Sequence, residues 1–193
     1  MSDVIEGLAG LAPGSSIAEL RARRPQAREN AQASYRALFD PPEPGPFSRA
    51  ERLAVAFFVA DLHADAPASA HYRARLSAEA PVLVDVIERE AGRGRTRGPY
   101  GRYRAGPLSR EDLDGPVFAA TQRAVLGERL AAALDHAHLL VFRPREASAA
   151  ALRPLAAAGW TTAGIVTLSQ LVAFLAFQIR AAAGLRVLAA AAA

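Results

Sequence analysis

No stretch of this chain alternates apolar and polar residues with a period of two, whereas apolar residues recur at spacings of three and four over much of its length. A chain of this kind buries apolar stripes by packing helices on helices, and the reading is an all-α fold. At 193 residues with 51% hydrophobic residues, it is long enough to bury a core as one domain.

The clearest helix start is Ser48-Arg-Ala-Glu51, a capping box that opens a strongly apolar helix to about Leu62, with Leu53, Ala56, Phe57 and Ala60 on one stripe. Before it, Ser16 is read as the cap of a short helix containing Glu19, and Ala27–Phe39 as a second helix after Pro25. Asp40-Pro-Pro-Glu-Pro-Gly-Pro46 ends that helix, because four prolines in seven positions admit no regular helix. Residues 1–46 are thus a helical arm with a stiff connector, 47–188 the main helical domain, and 189–193 an alanine-rich tail.

After a break at His63 to Pro67, the pattern predicts helices from about Ala68 to Leu76 and from Pro81 through Glu90. Gly92 to Gly106 reads as loop. Asp114 is expected to cap a long helix, with Pro116 in its first turn, reaching about Phe142. Pro144 is expected to start a helix that ends at Gly159, and Trp160-Thr-Thr162 to cap a last apolar helix from Ala163 to Ala183, stopped by Gly184. Its most apolar part, Ala163–Phe177, is short for a bilayer and carries Thr167, Ser169 and Gln170, so no membrane span is expected. The first residues lack a basic-then-apolar leader, and the expected location is cytoplasmic.

The chain contains no cysteine, which excludes disulfides, thiolate metal sites and thiol catalysis. All 23 basic residues are arginine, so no lysine is present to form a Schiff base or serve a phosphate loop. The net charge of +4 is modest. Arg93, Arg95, Arg97, Arg102 and Arg104, interleaved with Tyr100 and Tyr103, form a mixture that suits phosphates and stacked bases; a solvated loop accounts for it equally well, and nucleic acid is not the expected partner.

Around the break, His63, Asp65, His71 and Tyr72 are candidate catalytic residues: His63 or His71 as general base, Asp65 as its orienting group, Tyr72 as a donor to a substrate oxygen. Two histidines and a carboxylate also match a metal's ligand types, while in the plainer reading Asp65 caps the next helix and the others are solvated; no metal or cofactor is expected. His136 is expected to face inward toward this cluster, where it is a candidate substrate-binding residue, and His138 to lie at the surface; for each the plainer reading is a satisfied structural histidine. Gln170, Gln178 and Arg180 are polar groups on the apolar last helix that could line a pocket and bind a carboxylate, Arg180 as a bidentate anchor; in the equally weighted plainer reading Gln170 hydrogen-bonds across a subunit interface and Arg180 marks the helix end.

The stretch from Phe47 to Arg73 resembles the signature helix of the alkylhydroperoxidase D-like, or carboxymuconolactone decarboxylase, superfamily. Leu134-Asp-His-Ala-His-Leu-Leu140 and Leu155-Ala-Ala-Ala-Gly-Trp-Thr-Thr-Ala-Gly-Ile165, continuing to Leu185, resemble the later helices of its peroxidase-related branch. The resemblance covers roughly residues 44–188. It implies an alkylhydroperoxidase D-like helical bundle, a homo-oligomer, and a small-molecule pocket between the 48–72 helices and the last helix. Where that family carries Cys-x-x-Cys-x-x-x-His, this chain has Asp65, Ala68 and Tyr72, with His71 one residue early; the relay glutamate falls near Leu53. A thiol peroxidase mechanism is therefore excluded. What the resemblance leaves is acid–base chemistry on a small organic molecule, or a non-catalytic role beside a cysteine-bearing relative.

Overall fold

The computed structural model describes residues 3–192, so the first two residues and the last residue of the alanine tail lie outside it. The described chain is all-helical, with α1 Val4–Ala9, α2 Ser16–Ala22, α3 Pro25–Phe39, α4 Arg49–Leu62, α5 Ala66–Glu79, α6 Pro81–Gly94, α7 Arg123–Phe142, α8 Ala149–Ala157 and α9 Thr162–Ala191. Short 3-10 turns occupy Pro107–Glu111 and Pro144–Glu146.

α4 is the axis of the molecule. The capping box forms, with the Ser48 hydroxyl accepting from the Glu51 amide and the Glu51 carboxylate accepting from the Ser48 amide. Burial extends well beyond the stripe of Leu53, Ala56, Phe57 and Ala60: every residue from Arg52 to Leu62 is buried, because α5, α6, α7 and α9 surround α4. A helix apolar on all sides belongs in a core. The N-terminal arm joins the same core, with α1 against α9 and α5, and Tyr35, Leu38 and Phe39 of α3 in the common hydrophobic cluster.

Several boundaries differ from expectation. α5 runs from Ala66 to Glu79, starting inside the expected break, and α6 continues to Gly94, into the stretch read as loop. Ser15, not Ser16, caps α2, its hydroxyl accepting from the Ala18 amide. Asp114 caps nothing, since residues 112–122 are non-helical. Leu113 instead pairs backbone-to-backbone with Gly101, Asp112 accepts from the Tyr103 amide, and Asp114 meets Arg102. Gly115 lies against the Tyr100 ring, where a Cβ would come within 2.1 Å, so cross-loop pairing overrides a local capping signal. α7 therefore starts at Arg123 and bends at Gly127, whose φ of 71° and ψ of 158° break the helix. Pro144 opens only a 3-10 turn, and Ser148 caps α8. Gly159, at φ 85°, supplies the left-handed turn after α8, as glycine does without steric cost.

α9 passes Gly184 and continues to Ala191. A glycine inside a helix costs about 1 kcal/mol relative to alanine. That cost is offset by helix-forming residues beyond it and by Arg186, which donates to Leu8 O at 3.0 Å and pairs with Asp65. The whole of α9 is long and apolar enough to cross a membrane by length and composition; Leu168, Leu171, Leu175 and Ile179 on its inner face are buried in the protein core.

Arginine fastens the irregular segments. Arg129 donates to Pro46 O and Gly159 O, pairs with Glu51 and lies over the Trp160 ring at 4.0 Å. Such a planar, five-donor group satisfies several acceptors at once, which an ammonium does less well.

Candidate functional site

α4 ends at His63, Ala64 turns the chain with a φ of 53°, and Asp65 begins α5. A left-handed non-glycine residue carries local strain of about 1 kcal/mol and persists where neighbours over-determine it. Here it sits between two helices packed against each other, and it places the His63 ring on a cleft of about 680 Å³. Thr96 and Pro99 of the loop, Phe142 of α7, and Ser169, Ala176 and Arg180 of α9 complete its walls. The small side chain of Ala176 leaves the room, and Arg180 brings a positive charge.

The four histidines differ in what holds them. Arg75 donates to the Tyr35 hydroxyl at 2.5 Å, so the tyrosine proton goes to His71 Nε2, 3.0 Å away. The Ser169 hydroxyl gives its proton to Ile165 O at 2.9 Å and accepts from His136 Nε2 at 3.0 Å. His138, expected at the surface, is buried under Phe118 and donates from Nε2 to Gly94 O at 2.9 Å. The cause is the strap of residues 95–122, which folds over that face of α7 and which helical spacing alone could not foresee. His63 and His136 each keep one buried ring nitrogen, Nε2 and Nδ1, with no hydrogen-bond partner among the described residues; of the two, His63 is the one whose side chain lines the cleft.

All four imidazoles are held below their ordinary value. For His63 the largest cause is burial, followed by the nearby Arg180 guanidinium, with Asp65 acting in the opposite sense. For His71 it is burial and then Arg75; for His136, burial; for His138, burial, partly countered by the Gly94 carbonyl. His63 is thus neutral at neutral pH and able to accept a proton.

These depressed imidazoles make stability depend on pH. The unfolded chain takes up these protons first, near the ordinary imidazole value of 6.5. Stability is therefore complete above that pH and falls as pH falls from it toward the lower folded values, by at most about 1.4 kcal/mol per pH unit for each histidine. Urea midpoints at pH 7.5 and 5.5 should differ, the acidic one lower. Equal midpoints would mean that the imidazoles are not held neutral.

The remaining candidates occupy separate places. Asp65 accepts from the Ala68 amide at 3.0 Å as the cap of α5 and pairs with Arg186, so its carboxylate is committed to structure rather than to orienting an imidazole. Tyr72 is fully buried, stacks on Phe39, donates to Gln178 Oε1 at 2.5 Å and does not line the His63 cleft; burial raises its hydroxyl well above the usual tyrosine range. His71 lines a different cavity, of about 470 Å³, with Tyr35 and Gln32. Gln170 lies on the exposed face of α9, outside the cleft lining. Among the described residues no three His, Cys, Asp or Glu side chains converge as a metal site. Of the arginines in the stretch read as loop, Arg93 lies in α6, where it pairs with Glu90 and reaches Ala119 O of the strap, while Arg95 and Arg102 of the strap pair with Asp61 and Asp114.

Ser169 is a cleft residue that no sequence motif singles out. A lone serine in an apolar helix carries no signal until its neighbour across the helix pair is known. No family model, curated protein or solved structure matches this chain.

Proposed function

We propose that this chain is a cysteine-free relative of the alkylhydroperoxidase D-like and carboxymuconolactone decarboxylase proteins, performing cofactor-free acid–base chemistry on a small organic acid or lactone. The observation that carries this reading is that the His63 side chain lines the same cleft as Arg180 while its buried Nε2 has no hydrogen-bond partner among the described residues. Arg180 anchors the substrate carboxylate with its guanidinium. The neutral imidazole of His63 removes a proton from the carbon beside the substrate carbonyl and returns one later in the cycle. The largely apolar walls around Phe142 and Ala176 exclude water and strengthen both interactions. The all-helical fold, the capping box at Ser48 and the cleft between α4 and α9 support the family part of the reading. Assembly as a homo-oligomer is part of the same proposal.

The test is deuterium exchange, monitored by proton NMR, at the carbon beside the carbonyl of a carboxylate-bearing γ-lactone. The wild-type protein should accelerate exchange, with the rate already on its plateau at pH 7 because the His63 base limb lies below 6.5. His63→Ala should lower the rate about 10²- to 10⁴-fold. Arg180→Gln should chiefly raise the lactone concentration needed for half-maximal rate. Exchange that is equally fast in the His63→Ala protein would remove His63 from the reaction, and no acceleration by the wild type would end the proposal.

A further inference from the structure

Arg180 lines two cavities. Beyond the His63 cleft it borders a second groove, of about 670 Å³, which runs between α9 and the arm helices α1, α2 and α3. The floor of this groove is a stripe of α9 residues, Phe177, Ala181, Leu185 and Leu188, at spacings of four, four and three. That stripe covers about 16 Å of helix axis. Leu20 of α2 and Ile5 of α1 form the facing wall. Phe177 is 52% exposed, Leu188 48% and Leu20 45%, so aliphatic and aromatic surface stands open to water along the groove. Large apolar surface clustered in this way on one face marks a binding site more often than a bare surface does.

The charges at the groove divide into two sets. Arg21 and Arg28 are tied to Asp3 and Glu6. Arg24 and Arg180, also on its lining, have no carboxylate within ion-pair distance among the described residues. The groove therefore offers a hydrocarbon trough with unneutralised guanidinium groups at its border. We infer that it takes the alkyl tail of an aliphatic carboxylic acid whose carboxylate sits on Arg180, at the junction of groove and cleft. A concave, hydrocarbon-lined trough with cations at its edge complements a single anionic amphiphile: the tail removes the Phe177, Leu185 and Leu188 surface from water, and the head neutralises Arg180. The inference rests on the role proposed for Arg180 as the carboxylate anchor, and it names the substrate class as acids bearing an alkyl chain.

Its test is a calorimetric titration with butanoate, octanoate and dodecanoate, each kept below its micelle concentration. Affinity should tighten about fourfold for each added methylene that enters the groove. Leu185→Asp and, independently, Ala181→Trp should flatten this dependence on chain length while leaving butanoate binding in place, with circular dichroism confirming that both variants are folded. Arg180→Gln should weaken all three acids. Equal affinity for the three acids in the wild-type protein, with butanoate binding still dependent on Arg180, would overturn the groove assignment and leave the proposed function standing. Binding that ignores Arg180 at every length would sink both. Two further results would overturn the inference in favour of another occupant: sedimentation with phosphatidylglycerol vesicles without uptake of monomeric acid, which assigns the face to a bilayer, or a dimer that Leu185→Asp dissociates and dodecanoate does not compete with, which assigns it to a second copy of the chain.

Discussion

Glu90→Ala should lower the melting temperature by about 10 °C, the product of a loss of about 3–5 kcal/mol and roughly 2–4 °C for each kcal/mol in a chain of this size. The Glu90 side chain has no exposed surface. One carboxylate oxygen accepts from the Thr121 amide at 2.8 Å, the Thr121 hydroxyl at 2.9 Å and the Gln122 amide at 2.7 Å, and the other accepts from Arg93 at 2.5 Å. It is the point at which the strap of residues 95–122 is tied to α6 just before α7 begins. Burial works to raise its carboxyl, but the hydrogen bonds from Gln122 and Thr121, together with Arg93, outweigh that and hold it below the ordinary glutamate value. Alanine at this position leaves the donors unpaired, and an orphaned buried donor costs more than an ordinary hydrogen bond contributes. The strap also carries Phe118, which covers His138, and Thr96, which lines the His63 cleft, so loosening it should also disturb the cleft where carboxylate binding is proposed. Differential scanning calorimetry checks the main effect. A midpoint within about 2 °C of wild type, the shift expected from less than about 1 kcal/mol, would show that the strap is held elsewhere. The pH sign is that of a depressed carboxylate: the contribution is present above the ordinary glutamate value and is lost as pH falls through the lower folded one.

Arg52→Met should cost about 2–4 kcal/mol, although methionine fills similar space and is apolar. Arg52 is 5% exposed and donates to Phe47 O at 2.8 Å, Leu38 O at 2.7 Å and Pro44 O at 3.0 Å, with its guanidinium over the Phe47 ring at 4.6 Å. Those three carbonyls belong to the end of α3 and to the proline-rich connector, which has no ladder or helix of its own to satisfy them. Burial pulls the guanidinium below its ordinary value. It remains a cation, because arginine in proteins does not give up its proton near neutral pH. The substitution therefore unties the connector from α4, with two expected readouts: a lower urea midpoint, and faster cleavage within residues 40–47 by a protease that accepts proline-rich sites. Unchanged protection of the connector would show that Arg129, which also donates to Pro46 O, is sufficient alone. Arg52→Lys should recover only part of the loss, since one ammonium cannot reach three carbonyls lying in different directions.

Neither Glu90 nor Arg52 carries a sequence signal for its role, because the groups each one ties down are brought to it by the fold. Helical class, the capping box at Ser48, the start of α6 at Pro81 and the left-handed turn at Gly159 are local: they depend on spacing, on a proline's missing amide and on a glycine's freedom, and each is visible in a few consecutive residues. The same kind of signal misled at Asp114 and Gly184. At Asp114 a cap pattern lost to backbone pairing of Leu113 with Gly101; at Gly184 a stop pattern lost to Arg186 reaching Leu8 and Asp65. Both outcomes were set by partners distant in sequence, whose interaction energy exceeds a propensity of about 1 kcal/mol.

The site divides in the same way. His63, His71, Asp65 and Tyr72 were legible as a cluster because they are close in sequence, but closeness along a helix says nothing about which groups are already engaged. Tyr35 takes His71, Arg186 takes Asp65 and Gln178 takes Tyr72, each from an element far along the chain. The sequence by itself determined that no thiol chemistry is possible, that the basic groups are guanidinium groups, and that the chain packs as helices. Only the tertiary structure decided that His63 keeps a free ring nitrogen, that it shares a cleft with Arg180, and that α9 runs on to form the floor of the adjoining groove. The reason is physical: a residue type sets what chemistry a side chain can do, whereas burial and the partners brought to it by the fold set whether that chemistry is still available.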